Sequence, residues 1–395
     1  MGPTRHSNQL GWTLRVLLGC LVSSAGAGDA SPAMAACQIG QIAVAGKCVA
    51  AEEVNARIDQ IVREAMAKHH LKAVIAGFSI DDRSPSIKAW GESMTGVPAT
   101  PDMHFRNGSV AIAYIGTVLL QLRDKGALSV DDKLAKWFPD YPKADQVTLA
   151  MLINGTSGYA DYVTQESFLK QFYADPFRQW TPDELIALAL EPPMICEPGT
   201  CWSYAHTNFV ILGKVLEKAT GRPLEDLIRE GILAPLSLTN TRSEGTAIIQ
   251  EPVLHSFDAE RGKYEESTYW DPSWTLAHGA IMTSNIADLL KSATAIATGA
   301  LVSPDSHALQ LAPLTAKFKP WSETTYYGLG VFVTNGWVVQ NPSFAGYAAS
   351  MAYLPSHKLA LAVSVTMKEK ASLEGNLSTN IAKEIAAFLA PEAPL

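Results

Sequence analysis

The sequence lacks the features that mark several large classes of protein. It has no run dense in lysine and arginine, and acidic residues outnumber basic ones by 39 to 31, which gives a net charge of −8. This balance argues against nucleic acid as the main partner. No P-loop, G-x-G-x-x-G or H-E-x-x-H motif occurs, so we expect no cofactor and no metal. Hydrophobic residues make up 47% of the 395 residues, which is enough for a large core and excludes global disorder.

No apolar run reaches the roughly 20 residues that a membrane-spanning helix needs, so no membrane span is predicted. The apolar run at 16–25 is short, follows Arg5 and Arg15, and precedes small residues with an A-x-A site ending at Ala35. This order is typical of a secretory signal peptide. It predicts that residues 1–35 are a leader and that the protein is secreted or periplasmic.

Cysteine is scarce, with five in the chain, too few for a disulfide scaffold. Cys20 ends a lipobox-like stretch, but a positive charge lies too close before it, so a lipoprotein is the less favoured alternative. The four others, Cys37, Cys48, Cys196 and Cys201, allow three pairings. We expect Cys37–Cys48 and Cys196–Cys201 because their members lie close in sequence. No histidine has finger-like spacing to them, which disfavours a metal site.

Strand patterns lie near both ends of the chain and helix patterns lie between them. Helices are predicted at 52–70, 109–125, 182–190, 208–219, 224–232 and 376–389, and strands at 73–80, 87–90, 328–333, 337–339, 349–354 and 359–366. The helix at 109–125 is apolar almost all round, which predicts a central position. Asn335-Gly336 is a strong hairpin signal. The pattern predicts an α/β fold in which an antiparallel sheet, flanked by helices, carries a mostly helical insertion.

Ser109 stands at the start of the apolar helix, after the stretch Phe-Arg-Asn-Gly at 105–108. At a helix N-terminus the backbone N–H groups and the helix dipole stabilise negative charge, which suits an oxyanion or a partly ionised serine. The alternative is an N-cap serine that only begins the helix.

Several stretches together resemble the serine β-lactamase-like family, in particular the group of class C β-lactamases, D-alanyl-D-alanine carboxypeptidases and related esterases. They lie in order at 105–142, 148–162, 198–242, 326–333 and 346–365. The resemblance covers about residues 52–390. It implies a cleft between a sheet unit, 37–105 plus 275–395, and a mostly helical unit, 106–274.

The family works with an S-x-x-K motif, a Y-x-N motif and a K-T-G or H-x-G triplet. Ser109 is in place, but Ile112 stands where the lysine should be. Tyr204 is in place, but His206 stands where the asparagine should be. The triplet aligns with Gln-Asn-Pro at 340–342, which has neither lysine nor histidine.

One hypothesis is a rewired serine hydrolase that acts through an acyl-serine intermediate. Ser109 is then the nucleophile and His206 or Tyr204 is the base. Histidine suits this role because imidazole titrates near neutral pH. The family geometry places His206 near the space that the lost lysine leaves.

The resemblance also implies how such an enzyme would bind its substrate. The backbone N–H groups of Ser109 and Ser343 would form the oxyanion hole, and Gln340 and Asn341 would donate uncharged hydrogen bonds. Because cationic side chains are missing, carboxylate-bearing substrates such as penicillins are disfavoured. The expected substrate is a small neutral ester or amide.

The other hypothesis is a catalytically inactive pseudoenzyme whose cleft binds a ligand or a partner. Ser109 is then a helix cap, Tyr204 a buried aromatic residue and His206 a structural histidine. Trp202 and residues 159–161 flank the expected cleft loops, where packing is the predicted role.

Overall fold

A large antiparallel sheet with helices on both faces organises the chain. The computed structural model describes residues 37–38, 40–81, 83–243, 245–371 and 375–395. The predicted leader, residues 1–35, lies outside the described residues. Cys37–Leu395 forms one compact unit, and the boundaries of a sheet unit and a helical unit at 106 and 274 stay predictions.

Ten α-helices occur in the described residues. They are α1 (Ala51–His69), α2 (Val110–Asp124), α3 (Leu149–Asn154), α4 (Glu166–Ala174), α5 (Pro182–Leu190), α6 (His206–Thr220), α7 (Leu224–Ile228), α8 (Ile286–Ala297), α9 (Pro304–Gln310) and α10 (Leu377–Leu389). A π-helical turn at Arg229–Leu233 follows α7, so the predicted helix at 224–232 is divided between the two. None of the helices in the described ranges combines the length and apolar character that crossing a bilayer requires.

The strands come from both ends of the chain and from short connecting segments. They are β1 (Gln41–Val44), β2 (Lys47–Ala50), β3 (Leu71–Ile80), β4 (Ser86–Met94), β5 (Val97–Pro98), β6 (Phe105–Arg106), β7 (Arg242–Ser243), β8 (Phe257–Asp258), β9 (Glu265–Glu266), β10 (Met282–Ser284), β11 (Thr325–Tyr327), β12 (Phe332–Thr334), β13 (Trp337–Gln340), β14 (Ser343–Phe344), β15 (Tyr347–Leu354) and β16 (Leu359–Met367).

Nine strands of the described residues form the main sheet, in the order β11-β12-β13-β15-β16-β3-β4-β5, with β14 paired to β15. Every pairing in it is antiparallel. The predicted fold class, an antiparallel sheet flanked by helices, is therefore confirmed.

The central strand β16 is buried on both faces. Its residues Leu359, Leu361, Val363 and Val365 pack into a hydrophobic cluster that also contains α1 and α10. Ala360 and Ala362, which point the other way, belong to the larger cluster that contains α2 and α8. Alternation along the strand assigns the two sets to opposite faces, and the small side chains let α8 approach the sheet.

The hairpin predicted at Asn335-Gly336 is confirmed, since these residues join β12 to β13. Both have positive φ, 47° and 85°, which is the conformation that a two-residue type I′ turn needs. Both expected disulfides, Cys37–Cys48 and Cys196–Cys201, are also present.

The segment 328–331 departs from the predicted strand at 328–333, of which only the end belongs to β12. Gly330 has a φ of +80°, and a Cβ there would lie 2.8 Å from the Ile112 carbonyl oxygen. On α2, a Cβ at Gly116 would lie 2.7 Å from the Leu329 carbonyl oxygen. Because glycine on both sides allows backbone-to-backbone approach, this segment packs across α2 instead of extending the strand.

Asp258 in β8 generates a prediction about stability. Burial, together with the nearby Glu260 and Glu265 carboxylates, raises the pKa of Asp258 to about 6. An acid whose pKa is higher in the folded state than its ordinary value of about 3.9 destabilises the fold once ionised, and the penalty grows as pH rises from about 4 through 6. We expect Asp258→Asn to raise the free energy of unfolding by about 1–2 kcal/mol at pH 8, allowing for partial solvent screening.

At pH 4 the gain should be much smaller, because the folded-state carboxyl is already protonated there. Urea denaturation at both pH values measures the difference. The asparagine oxygen still accepts the Glu260 N–H, which lies 2.6 Å from the Asp258 oxygen. Asp140→Asn, at an exposed position, is the control and should show no such dependence; an equal gain at both pH values for Asp258→Asn contradicts the prediction.

Candidate active site

Ser109 lies at the N-terminal end of α2, and its hydroxyl faces a tyrosine. The side chain makes no capping hydrogen bond to its own helix. Instead Oγ lies 3.0 Å from the hydroxyl oxygen of Tyr204. The structure thus brings together the two motif residues that the chain retains, and the serine hydroxyl does not act as a helix cap.

The loop before the serine is held between two strands. Gly108 has a φ of +41°, and a Cβ there would lie 2.5 Å from Pro342 Cβ and 2.8 Å from the ring of Phe344. On the other side the backbone N–H of Asn107 donates to the Met282 carbonyl oxygen at 3.2 Å. The position of the serine therefore depends on close packing against β14 and on a hydrogen bond to β10.

Tyr204 is the only side chain of the described residues that is hydrogen-bonded to the serine hydroxyl. Burial raises the pKa of Tyr204 well above its ordinary value; Tyr327 and Asp161 add to the shift and the bond to Ser109 opposes it. Within the described ranges no lysine or arginine is hydrogen-bonded to this phenol. Tyr204 therefore keeps its proton at neutral pH.

The position of the missing lysine is filled by core packing. Ile112 is fully buried and belongs to the larger hydrophobic cluster. Its carbonyl oxygen is the group against which Gly330 packs. An apolar residue there removes the cation that would otherwise lower the pKa of the neighbouring hydroxyls.

His206 is the first residue of α6, and it is hydrogen-bonded to the carboxylate of Asp161, which lies 45 residues earlier in the chain. Its backbone N–H donates to Asp161 Oδ1 at 3.2 Å, and its ring Nδ1 lies 3.0 Å from Asp161 Oδ2. The N-cap residue of α6, Ala205, has no side-chain capping bond, so Asp161 takes the place of the cap. In the described residues no hydrogen bond joins His206 to Ser109; the rings of His206 and Tyr204 meet edge to face, with centroids 5.1 Å apart.

Sequence reasoning missed this role of Asp161, which it treated as a packing residue. The carboxylate precedes His206 by 45 residues, so no local spacing pattern connects them. The one usable signal was that α6 begins without a polar residue at its N-cap, which requires a partner from elsewhere.

The loops that carry Asp161 and Tyr204 are joined to each other. Three backbone N–H groups of the later loop donate to carbonyl oxygens of the earlier one: Ile195 to Gly158 at 2.9 Å, Gly199 to Thr156 at 2.8 Å and Ser203 to Gly155 at 2.8 Å. The Cys196–Cys201 disulfide closes the later loop. The two loops therefore form a single support under the site.

Gln340 reaches the face of the sheet that α2 covers, but its amide is already engaged. Its Nε2 donates to the Tyr327 hydroxyl at 3.1 Å and to the Gly330 carbonyl oxygen at 2.7 Å. An amide has two N–H donors, so neither is left for a substrate. This differs from the expectation that Gln340 donates to the substrate.

The side chain of Asn341 is hydrogen-bonded to a helix away from Ser109. The Asn341 amide donates to Thr379 Oγ1 of α10 at 2.9 Å, on the face of the sheet opposite α2, because successive side chains of an extended chain alternate. We therefore remove Asn341 from the candidate substrate contacts. Ser343 begins β14, next to the loop that precedes Ser109.

Aromatic rings surround the polar groups of the site. Trp274 lies with its ring centroid 6.1 Å from that of His206 and 5.9 Å from that of Phe344. Its carbonyl oxygen accepts the hydroxyl of Tyr162 at 2.5 Å. The arrangement places a serine hydroxyl at a helix N-terminus, an imidazole hydrogen-bonded to a carboxylate and aromatic rings around them.

The sequence and the fold are similar to those of known proteins. The Beta-lactamase family model matches residues 58–384. Penicillin-binding protein 4 of Amycolatopsis lactamdurans is 30% identical over 183 residues, 45% of this chain and 46% of that protein. Esterase EstB of Burkholderia gladioli is 26% identical over 201 residues, 48% of this chain and 51% of that protein. A D-stereospecific amidohydrolase from Streptomyces sp. superposes with a TM-score of 0.75 and 25% identity, covering 85% of this chain and 98% of that one.

The alignments differ in extent. The chain spans about half the length of the relatives that it matches in sequence, but nearly the whole of the Streptomyces structure. The family resemblance carried by the motifs is confirmed.

The packing of the loop before Ser109 generates a prediction. We expect Gly108→Ala to lower the free energy of unfolding by about 2–4 kcal/mol, because a left-handed φ and a clash with β14 act together. Gly126→Ala is the matched control at the other end of α2: its φ is +68°, but nothing lies within 4 Å of the added Cβ. It should lose only about 1–2 kcal/mol. Urea denaturation of both variants checks this, and equal losses contradict the proposed contact.

Proposed function

The chain belongs to the Beta-lactamase family, and we propose that it is a serine hydrolase that cleaves a neutral ester or amide through an acyl-serine intermediate at Ser109. The observation that carries the proposal is the 3.0 Å contact between Ser109 Oγ and the Tyr204 hydroxyl. It lies at the N-terminus of a buried helix, where backbone N–H groups stabilise developing negative charge. The retained pair supports acyl transfer even though the motif lysine is absent.

The proposed reaction has two half-reactions. Ser109 Oγ attacks the substrate carbonyl carbon and gives its proton to Tyr204, which passes its own proton through one bridging water to Nε2 of His206. The backbone N–H groups of Ser109 and Ser343 hold the tetrahedral oxyanion. Collapse breaks the ester or amide bond, and the alcohol or amine leaves with the proton returned from His206. Water then attacks the acyl-serine by the same proton route and releases the carboxylic acid.

Tyr204 acts in this scheme as a relay rather than as a base. A phenol whose pKa is raised by burial does not supply a phenolate near neutral pH. A general base is most effective when its pKa lies near the working pH, and imidazole has this property. His206, packed edge to face on the Tyr204 ring, is the proposed final proton acceptor.

The substrate is proposed to be uncharged near the scissile bond. The triplet at 340–342 has no lysine or histidine, and Gln340 uses both amide protons within the protein. The rings of Trp274 and Phe344 lie beside the site, which favours an apolar group on the substrate. Two of the similar proteins are named as an esterase and an amidohydrolase, so both bond types fit the proposal.

We propose an exported protein, secreted or periplasmic. Two disulfides are consistent with an oxidising compartment. The signal peptide predicted for residues 1–35 agrees with this location.

A second candidate function, a ligand-binding or partner-binding protein without catalysis, is favoured by one specific observation. Ile112 is buried at the lysine position, and no basic nitrogen of the described residues is hydrogen-bonded to Ser109. In a serine hydrolase the loss of a catalytic group commonly costs several orders of magnitude in rate. The cleft would then bind without turning over.

Labelling and turnover separate the two candidates. We expect a fluorophosphonate probe to label the wild type and not Ser109→Ala, because the probe reacts with an activated serine. Hydrolysis of a small p-nitrophenyl ester should be lost in Ser109→Ala and fall by about 10²–10⁴-fold in His206→Ala. His357→Ala, at a histidine paired with Glu392, is the matched control and should keep full activity. Absence of wild-type labelling above the Ser109→Ala background would reject the enzyme and leave the binding protein.

A penicillin tests the charge argument separately. We expect a fluorescent penicillin to label the wild type no more than Ser109→Ala, because no cationic side chain of the triplet is present to bind its carboxylate. In-gel fluorescence measures the labelling. Clear serine-dependent acylation contradicts the proposed neutral substrate while it supports the nucleophile.

A further inference from the structure

The geometry assigns to Asp161 the role of a positioning residue that fixes the tautomer of His206, with the proton on Nδ1 and the lone pair on Nε2. The inference rests on the proposed function, since it concerns the group to which that function gives the proton. It adds a residue from a separate loop to the site and explains how a histidine in place of the motif asparagine is oriented.

The hydrogen bonds decide the tautomer. Asp161 Oδ2 lies 3.0 Å from Nδ1 of His206, and Asp161 Oδ1 lies 3.2 Å from the backbone nitrogen of the same residue. A carboxylate only accepts hydrogen bonds, so the ring nitrogen that faces it must carry hydrogen. A neutral imidazole has one N–H, and the other nitrogen, Nε2, is then the basic one.

The surroundings of Asp161 suit an acceptor and nothing else. Besides the two donors of His206, the backbone N–H of Val163 donates to Asp161 Oδ1 at 3.2 Å. The carboxylate also lies at the N-terminus of α6, where unpaired N–H groups and the helix dipole favour negative charge. Only 11% of the Asp161 side chain is exposed. Rotation of the carboxylate away from the ring would leave buried N–H donors without a partner.

The imidazole is held on its other sides by rings. Tyr204 meets it edge to face at 86°, and the ring centroids of Tyr162 and Trp274 each lie 6.1 Å from that of His206. The His206 side chain is 19% exposed. Within the described residues Nε2 makes no hydrogen bond. The nitrogen that remains open is thus the one that carries the lone pair.

This arrangement compensates for the buried isoleucine at the lysine position. A neutral histidine free to turn would offer either nitrogen, with or without a proton, whereas a neutral one bound through Nδ1–H offers an acceptor at Nε2. The same carboxylate caps α6, so orienting the ring and beginning the helix are a single interaction. Asp161→Asn should disturb both, and the test must tell them apart.

The wild-type tautomer is measured first, by long-range ¹H–¹⁵N correlation spectra of the intact protein labelled with ¹⁵N-histidine, at pH 8. His206→Ala identifies the resonances of His206 by their loss. We expect the pattern of Nδ1–H with unprotonated Nε2. The pattern of Nε2–H overturns the inference whatever the activity is. If the expected pattern is found but no ester is hydrolysed, the proposed function fails and the tautomer assignment stands.

The variant then tests the consequence. An asparagine amide can donate to Nδ1, so we expect Asp161→Asn to move the proton to Nε2 and to lower kcat by about 10²-fold or more with a small change in KM. Thr181→Ala is the matched control, because it removes a helix cap from α5, which contacts α6, without touching the imidazole. It should lose stability but keep the tautomer and kcat. Unchanged kcat in Asp161→Asn despite a moved proton overturns the positioning role.

Discussion

Helix α2 has no polar face along most of its length, and enclosing it on every side is the constraint on which the rest of the structure depends. Val110 to Leu120 are all buried. Helices α6, α7 and α9 and the glycine-rich segment at 328–331 pack against it. A helix enclosed in this way cannot shift without exposing apolar surface. Its N-terminus, where Ser109 is the N-cap residue, is therefore held in place by the packing of the whole helix.

The N-terminus of α6 is held in place as well, by hydrogen bonds to a single carboxylate. Asp161 accepts the backbone N–H and the ring N–H of His206, so a group required for helix capping also orients a side chain of the site. Backbone hydrogen bonds and the Cys196–Cys201 disulfide join the two loops behind it. Stability and site geometry are coupled here because unsatisfied N–H groups are costly when buried.

The chemistry follows from a change in charge. Ile112, three residues after Ser109, is apolar and buried in the core, and burial raises the pKa of Tyr204. The pair of hydroxyls therefore stays neutral, and a proton acceptor must come from outside the pair. In the proposed mechanism the His206 imidazole, which is hydrogen-bonded to the Asp161 carboxylate, supplies that acceptor.

The sequence by itself determined the features that depend on local rules. An apolar stretch located α2, the Asn335-Gly336 pair predicted a hairpin, close spacing paired the cysteines, and the motifs singled out Ser109 and Tyr204. Only the tertiary structure decided that the segment 328–331 packs on α2 instead of joining the sheet. It also decided the hydrogen-bond partners of three side chains. Asn341 donates to Thr379 of α10, Gln340 donates to Tyr327 and Gly330, and Asp161 is bonded to His206. These outcomes depend on contacts between segments far apart in the chain, where no spacing pattern records which atoms meet. The residue types could be identified in advance, but their hydrogen-bond partners were set by how α2, α6 and the neighbouring helices and loops pack against one another.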